Sequence, residues 1–238
     1  MSADAGASAV QPICEETPLI MPVYMMCALS CVAAYLLGGI PSAYIIGRAV
    51  GHVDIRTLGS GNVGSTNAAR TVGAKAGILT LVCDIMKAVV AVLLGRVLIG
   101  LVGAGSFEAT APGGPYDWCA ALVYLSTILG HMFTPFLHFH GGKGIASGFG
   151  GAVVLMPWVG LSLWVPFLLF AVTTRYVSLG SITGAVSLPV LANVFYHPSA
   201  AFTVIVCLVA ALVIWGHRTN IKKLAHGQES KFSVKKTK

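Results

Sequence analysis

Seven apolar stretches, at 22–47, 77–105, 118–137, 144–156, 157–174, 177–196 and 200–216, occupy most of this 238-residue chain. Nearly all of its charges fall in the short segments between them. A helix needs about 20 such residues to cross the hydrocarbon core of a bilayer, where its backbone groups bond only within the helix. The expectation is an all-α, polytopic integral membrane protein of about seven spanning helices, some of them short or broken. The first two runs are long enough to tilt or kink. The fourth is short, and Gly148, Gly150, Gly151 and Pro157 blur its boundary with the fifth. Composition agrees: 56% of residues are hydrophobic and 10% charged, whereas a soluble domain carries about 25% charged residues. One membrane domain, 22–232, is expected between a polar, disordered leader (1–21) and a basic tail (233–238).

The basic residues set the orientation, because Lys and Arg collect on the cytoplasmic side. The leader has Asp4, Glu15 and Glu16 and no base, and 106–117 has Glu108 and Asp117 and no base. Arg48, Arg56, Arg70 and Lys75 lie in 48–76, Lys143 in 138–143, and Arg175 in its own turn. Arg218, Lys222, Lys223, Lys231, Lys235, Lys236 and Lys238 follow the last run. These thirteen of the fifteen basic residues obey one alternation, with the N-terminus outside and the C-terminus cytoplasmic. Charges confined to such loops argue against nucleic acid as a partner and for membrane lipid. The six cysteines show neither CxxC nor metal-ligand spacing, so small buried hydrophobes are expected.

Five segments could carry chemistry. Gly59-Ser60-Gly61-Asn62-Val63-Gly64-Ser65-Thr66-Asn67, with Arg70 beyond it, is too polar for lipid and too glycine-rich for a stable helix. Glycines let successive N–H groups point into one anion-binding concavity. Ser60, Thr66 and Asn67 add donors, Arg70 adds a bidentate charge, and a helix opening at Asn67 would face the same anion. An ordinary Gly/Ser/Asn turn is the plainer reading. His140-Gly141-Gly142-Lys143-Gly144 again sets glycines around a cation, although Lys143 could serve topology alone. Upstream, His131 reads as a packed residue. Asp84 and Lys87, three apart on one helix face, read as an ion pair inside the second run, with Arg96 snorkelling to the outer interface. Ser178 lies in a polar turn after Arg175. His217 and Asn220 share a face if the last helix continues. Charge alternation alone brings both glycine loops, the Arg175 turn and His217 to one side, which points to an anionic, phosphorylated, cytoplasmic ligand.

These residues resemble bacterial glycerol-3-phosphate acyltransferases of the PlsY type. The resemblance runs over about 22–232 and rests on Ile40-Pro41, Asp54-Ile55-Arg56, GSGNVGSTN with Arg70, and Asp84 with Lys87. It continues through Gly130-His131, GGKG, Arg175 to Leu179, and His217-Arg218-Thr219-Asn220 with Gly227 and Glu229. Phe133-Thr134-Pro135 departs from it, with proline one place late. The resemblance implies transfer of a fatty acyl group from acyl phosphate to the 1-hydroxyl of sn-glycerol 3-phosphate, giving lysophosphatidic acid and phosphate. It implies a functional link to the enzyme that makes acyl phosphate. It also implies a catalytic set of Ser60, Arg70, Lys143, His217 and Asn220. Substrate binding would fall to Gly59, Gly61, Asn62, Gly64, Thr66, Asn67, Gly141, Gly142, Gly144 and Ser178.

Acyl phosphate carries a good leaving group, so the task is alignment and charge neutralisation, and neither cofactor nor metal is expected. No G-x-S-x-G elbow or Cys–His arrangement supports an acyl-enzyme. The hydroxyl proton could pass to the donor's phosphate or to His217. The alternative is a transporter of a phosphorylated solute, whose site would lie near the bilayer midplane between repeats. No repeat is visible.

Overall fold

The computed structural model describes residues 20–231. The basic tail at 233–238 and all of the leader up to residue 19 lie outside the described residues. Regular structure among the described residues is helical throughout. The first run is a broken helix, α1 (Ile20–Gly39) and α2 (Ser42–Gly51), interrupted at Ile40-Pro41. Proline has no N–H and disfavours helix in the residue before it. A short α3 (Ser65–Thr71) opens two residues earlier than expected and turns at Gly73 into α4 (Ala74–Val97), which a π-helical turn extends through Gly103. Next come α5 (Asp117–Met132), α6 (Ile145–Leu155), α7 (Pro157–Ser162) and α8 (Trp164–Thr174). The chain continues with α9 (Val177–Tyr196), α10 (Ala200–Gly216) and α11 (Arg218–Ala225).

Five spans, Pro22–Gly51, Ala74–Gly103, Asp117–Leu137, Pro157–Thr174 and Val177–Tyr196, are long and apolar enough to cross a bilayer. The bent pair α10–α11 makes a sixth, and α6 is a shorter apolar helix. Together they occupy the seven apolar runs, short and broken spans included.

Small residues let the helices approach closely, as packing in lipid requires. A Cβ on Gly130 of α5 would overlap the Tyr35 carbonyl of α1, and one on Gly150 of α6 would overlap the Ile85 carbonyl of α4. The Asp84–Lys87 ion pair is present at 2.8 Å, with side chains 3% and 7% exposed. Lys87 Nζ also donates to Ile40 O at 2.7 Å, so the charge inside the membrane helps fix the break in the first span. An ionised group at that depth needs such partners. Arg96 corrects the snorkelling expectation. Its guanidinium is buried, donating to Thr110 Oγ1 at 3.2 Å and Val154 O at 3.0 Å and lying 4.1 Å from the Phe107 ring centroid. Two acceptors and a ring face, two of the three from the 106–117 loop, hold it away from solvent. Asp117, fully buried, accepts from Gly113 N, Ser199 N and Ser199 Oγ, and so ties α5 to the start of α10.

Candidate active site

The loop between α2 and α3 is built around two side chains. Asp54 accepts from the Arg56 backbone and guanidinium at 2.7–3.0 Å and from Arg48 at 3.1 Å. The Arg56 guanidinium holds its carboxyl well below the usual carboxylate range, with Arg48 adding to the effect. Asn67 then pins the glycine segment from inside. Its Oδ1 accepts from Ser60 N at 2.9 Å, and its Nδ2 donates to Ile55 O and Leu58 O, both at 3.1 Å. Every polar atom of that amide is engaged by the loop. Gly59, at φ +58°, lies so close to Asn67 Oδ1 that a Cβ would overlap it.

The second glycine loop is strapped to the end of α5. Gly141 N donates to Met132 O and Gly142 N to His131 O, both at 3.0 Å. Lys143 then reaches across to the last helices, donating to Asn220 Oδ1. Asn220 Nδ2 and Ser178 Oγ both donate to Glu229 Oε1 at 2.8 Å. Burial pushes the Lys143 ammonium below the usual lysine value. Glu229 pulls it back, while Lys223 and Arg70 push it further down. His217 is buried, with Nδ1 2.8 Å from Val213 O. A carbonyl only accepts, so Nδ1 carries the proton and, in the neutral ring, Nε2 keeps its lone pair.

These groups meet at one cavity of about 480 Å³. Ser60, Asn62, Gly64, Thr66, Asn67, Arg70, Lys143, Gly144, Ser178, His217 and Asn220 all line it. The other sequence-expected site residues stand away from its wall: Gly59 and Gly61 shape the first loop, and Gly141 and Gly142 pack on His131. Glu229, Asp84 and His131 stand outside the expected site set, with the Asp84–Lys87 pair read first as structural and only second as binding, and all three line the cavity. Two signals pointed to Glu229: a lone carboxylate in a basic segment, and its place beside Gly227 in the motif that carries the resemblance.

The cavity has two characters. Its cations and donors come from the two glycine loops, from α3 and from the starts of α9 and α11. Ile78 and Leu81 of α4, Phe149 of α6 and Trp164 and Phe167 of α8 form an apolar wall. Phe149 stacks on Trp164 at 4.6 Å with Phe167 edge-on to it. A ligand with an anionic head and an apolar chain matches both halves.

Comparisons with known proteins point the same way. Residues 28–227 match the family model for glycerol-3-phosphate acyltransferase. A glycerol-3-phosphate acyltransferase of Endomicrobium trichonymphae is 41% identical over 87% of this chain and 96% of that relative. One from Geotalea daltonii is 40% identical over 84% and 95%. Among solved structures, the crystal structure of PlsY, an integral membrane glycerol 3-phosphate acyltransferase, in its lysophosphatidic acid form superposes with a TM-score of 0.73. It is 32% identical and covers 87% of this chain and 96% of that one. The glycerol 3-phosphate form of PlsY gives 0.72.

Proposed function

This chain belongs to the glycerol-3-phosphate acyltransferase family of integral membrane enzymes, and we propose that its acyl donor is acyl phosphate. The carboxyl carbon passes to the 1-hydroxyl of sn-glycerol 3-phosphate. The C–O bond to the donor phosphate breaks, and lysophosphatidic acid and inorganic phosphate leave. The observation that carries this reading is the division of one cavity into a cationic, donor-rich end and an apolar wall. Two phosphates need neutralising and one chain needs an apolar surface. The enzyme that makes acyl phosphate would then supply this one.

Lys143, held by Asn220, supplies charge that does not have to reorganise during reaction, and the more exposed Arg70 adds a second cation. Ser60 and the neighbouring loop amides add neutral donors. Asn220, held between Lys143 and Glu229, fixes the depth of the ammonium. His217 Nε2 is suited to accept a hydrogen bond from a substrate hydroxyl. The proton itself goes to a non-bridging oxygen of the donor phosphate, which arrives beside the reacting carbonyl. Purified protein in detergent, given acyl phosphate and glycerol 3-phosphate, should make lysophosphatidate without acyl-CoA. Robust turnover with acyl-CoA and none with acyl phosphate would overturn the donor assignment.

The basic-residue alternation supports a cytoplasmic site in the bacterial inner membrane, with the N-terminus outside and the C-terminus inside. A cysteine placed at the exposed Lys222, after native cysteines are replaced, should resist an impermeant reagent in whole cells and react after lysis. Labelling from outside would reverse the orientation.

A further inference from the structure

We propose that His131 is a positioning residue, its ring wedged between the Asp84 carboxylate and the Gly142 backbone to set how deep the Lys143 loop sits in the cavity. The inference rests on the reading of that cavity as the glycerol 3-phosphate site. On one side, Gly142 lies so close to the ring that a Cβ there would overlap Nε2, while Gly141 lies equally close to the His131 carbonyl. The same two residues are hydrogen-bonded to the backbone of Met132 and His131. The loop is therefore seated on this ring one residue before Lys143.

On the other side, Asp84 Oδ1 is 3.8 Å from His131 Nδ1, beyond hydrogen-bond reach. Asp84 cannot easily follow the ring. Lys87 holds its carboxylate at 2.8 Å, and Ser147 Oγ donates to its backbone carbonyl at 3.2 Å. His131 Nδ1 is buried and has no hydrogen-bond partner. Such an orphan is costly and uncommon. An apolar residue would avoid the cost, so the imidazole serves another end: a rigid ring whose nitrogen edges, Nδ1 towards the carboxylate and Nε2 towards the glycine, span the gap between them. His131 also lines the cavity, where its close contact is with the Gly142 backbone. It acts through Lys143.

A double-mutant cycle between His131→Ala and Gly142→Ala tests this. KM for glycerol 3-phosphate and kcat are measured on full-length protein in detergent, with whichever acyl donor the wild type turns over. Failure of the acyl-phosphate assignment then leaves the comparison intact. Gly142→Ala drives a methyl group into the ring and displaces the loop, so kcat/KM for glycerol 3-phosphate should fall by about 10²-fold, the scale for a displacement of about 1 Å, with most of the loss in KM. Adding His131→Ala removes the obstruction, and the double variant should recover about tenfold of that loss. His131→Ala alone should raise KM more than it lowers kcat, because the loop loses its seat. A merely structural histidine would lower the unfolding temperature and leave KM of the folded enzyme alone. Independent effects, with the KM of the double variant equal to the product of the two single changes, would sink the proposal. If His131→Ala does not fold, His131→Ser, which also removes the ring, carries the same cycle.

Discussion

Replacing Lys143 by alanine is expected to lower kcat/KM for glycerol 3-phosphate by roughly 10²–10³-fold, the range for removing one preorganised electrostatic stabiliser. Lys143 is the one ammonium lining the cavity among the described residues, and Asn220 holds its Nζ. Lys143→Arg should not restore the rate. A guanidinium is planar and wider than an ammonium, and the space is set for a compact group between Asn220 and the glycine loop. The pH dependence has a definite sign. Burial lowers the ammonium's pKa, so the charge is present at neutral and acid pH and is lost earlier than for an ordinary lysine as pH rises. Activity should fall on that alkaline side. In Lys143→Arg the residual activity should lack this limb, because the guanidinium does not deprotonate in that range. Steady-state kinetics across pH for the three proteins decide it. Unchanged kinetics in Lys143→Ala would reduce the residue to a topological anchor.

The second large effect concerns His217. With the donor phosphate as proton acceptor, His217→Gln, which keeps a hydrogen-bonding edge, should retain much of the single-turnover rate. Its pH profile should follow the ionisation of the phosphate. With His217 as general base, that variant should instead lose about 10²–10⁴ in the chemical step, and the acidic limb of the wild type should vanish with it. The Nδ1 bond to Val213 O fits either role, since it leaves Nε2 unprotonated in the neutral ring. The donor route is favoured because Nδ1 rests on a backbone carbonyl. A carboxylate there would stabilise the imidazolium that a general base must become. Single-turnover rates against pH for wild type and His217→Gln separate the two.

Much of the fold was legible because punctuation in this chain is sharp. Helices α9 and α10 begin and end at the expected residues, since Arg175-Tyr176, His197-Pro198 and His217-Arg218 interrupt otherwise apolar sequence. Pro157 likewise opens α7. The break at Leu163 is marked only indirectly, by Pro166 in the first turn of α8, whose ring and missing N–H disturb the turn at Ser162. A helix bathed in lipid is apolar on every side, so no hydrophobic period betrays a change of direction. The site was legible as a set of loops on one face, because charge alternation is a property of the sequence. Which glycines touch the cavity was not. A glycine-rich segment that cradles an anion and one that packs on its own protein have the same composition, and Gly142 lies against His131 rather than along the cavity wall. Asn67 shows the same ambiguity: a donor by residue type, it proves to be the pin of its loop. The partners of Glu229 became visible only through folding, since Ser178 and Asn220 come from separate helices.

The apolar wall of the cavity has a consequence for what concentration means to this protein. It runs outward to Ile78, which is 62% exposed on the flank of a spanning helix. Under the proposed reaction, an acyl chain lying along that wall would meet the surrounding lipid at Ile78, and an amphiphile could enter there from the leaflet. For the chain-bearing partners, encounter is then a two-dimensional search within the leaflet, governed by their mole fraction among the surrounding lipids. Glycerol 3-phosphate arrives by a three-dimensional search from the aqueous side. The two substrates are thus counted on different scales, one per lipid and one per litre.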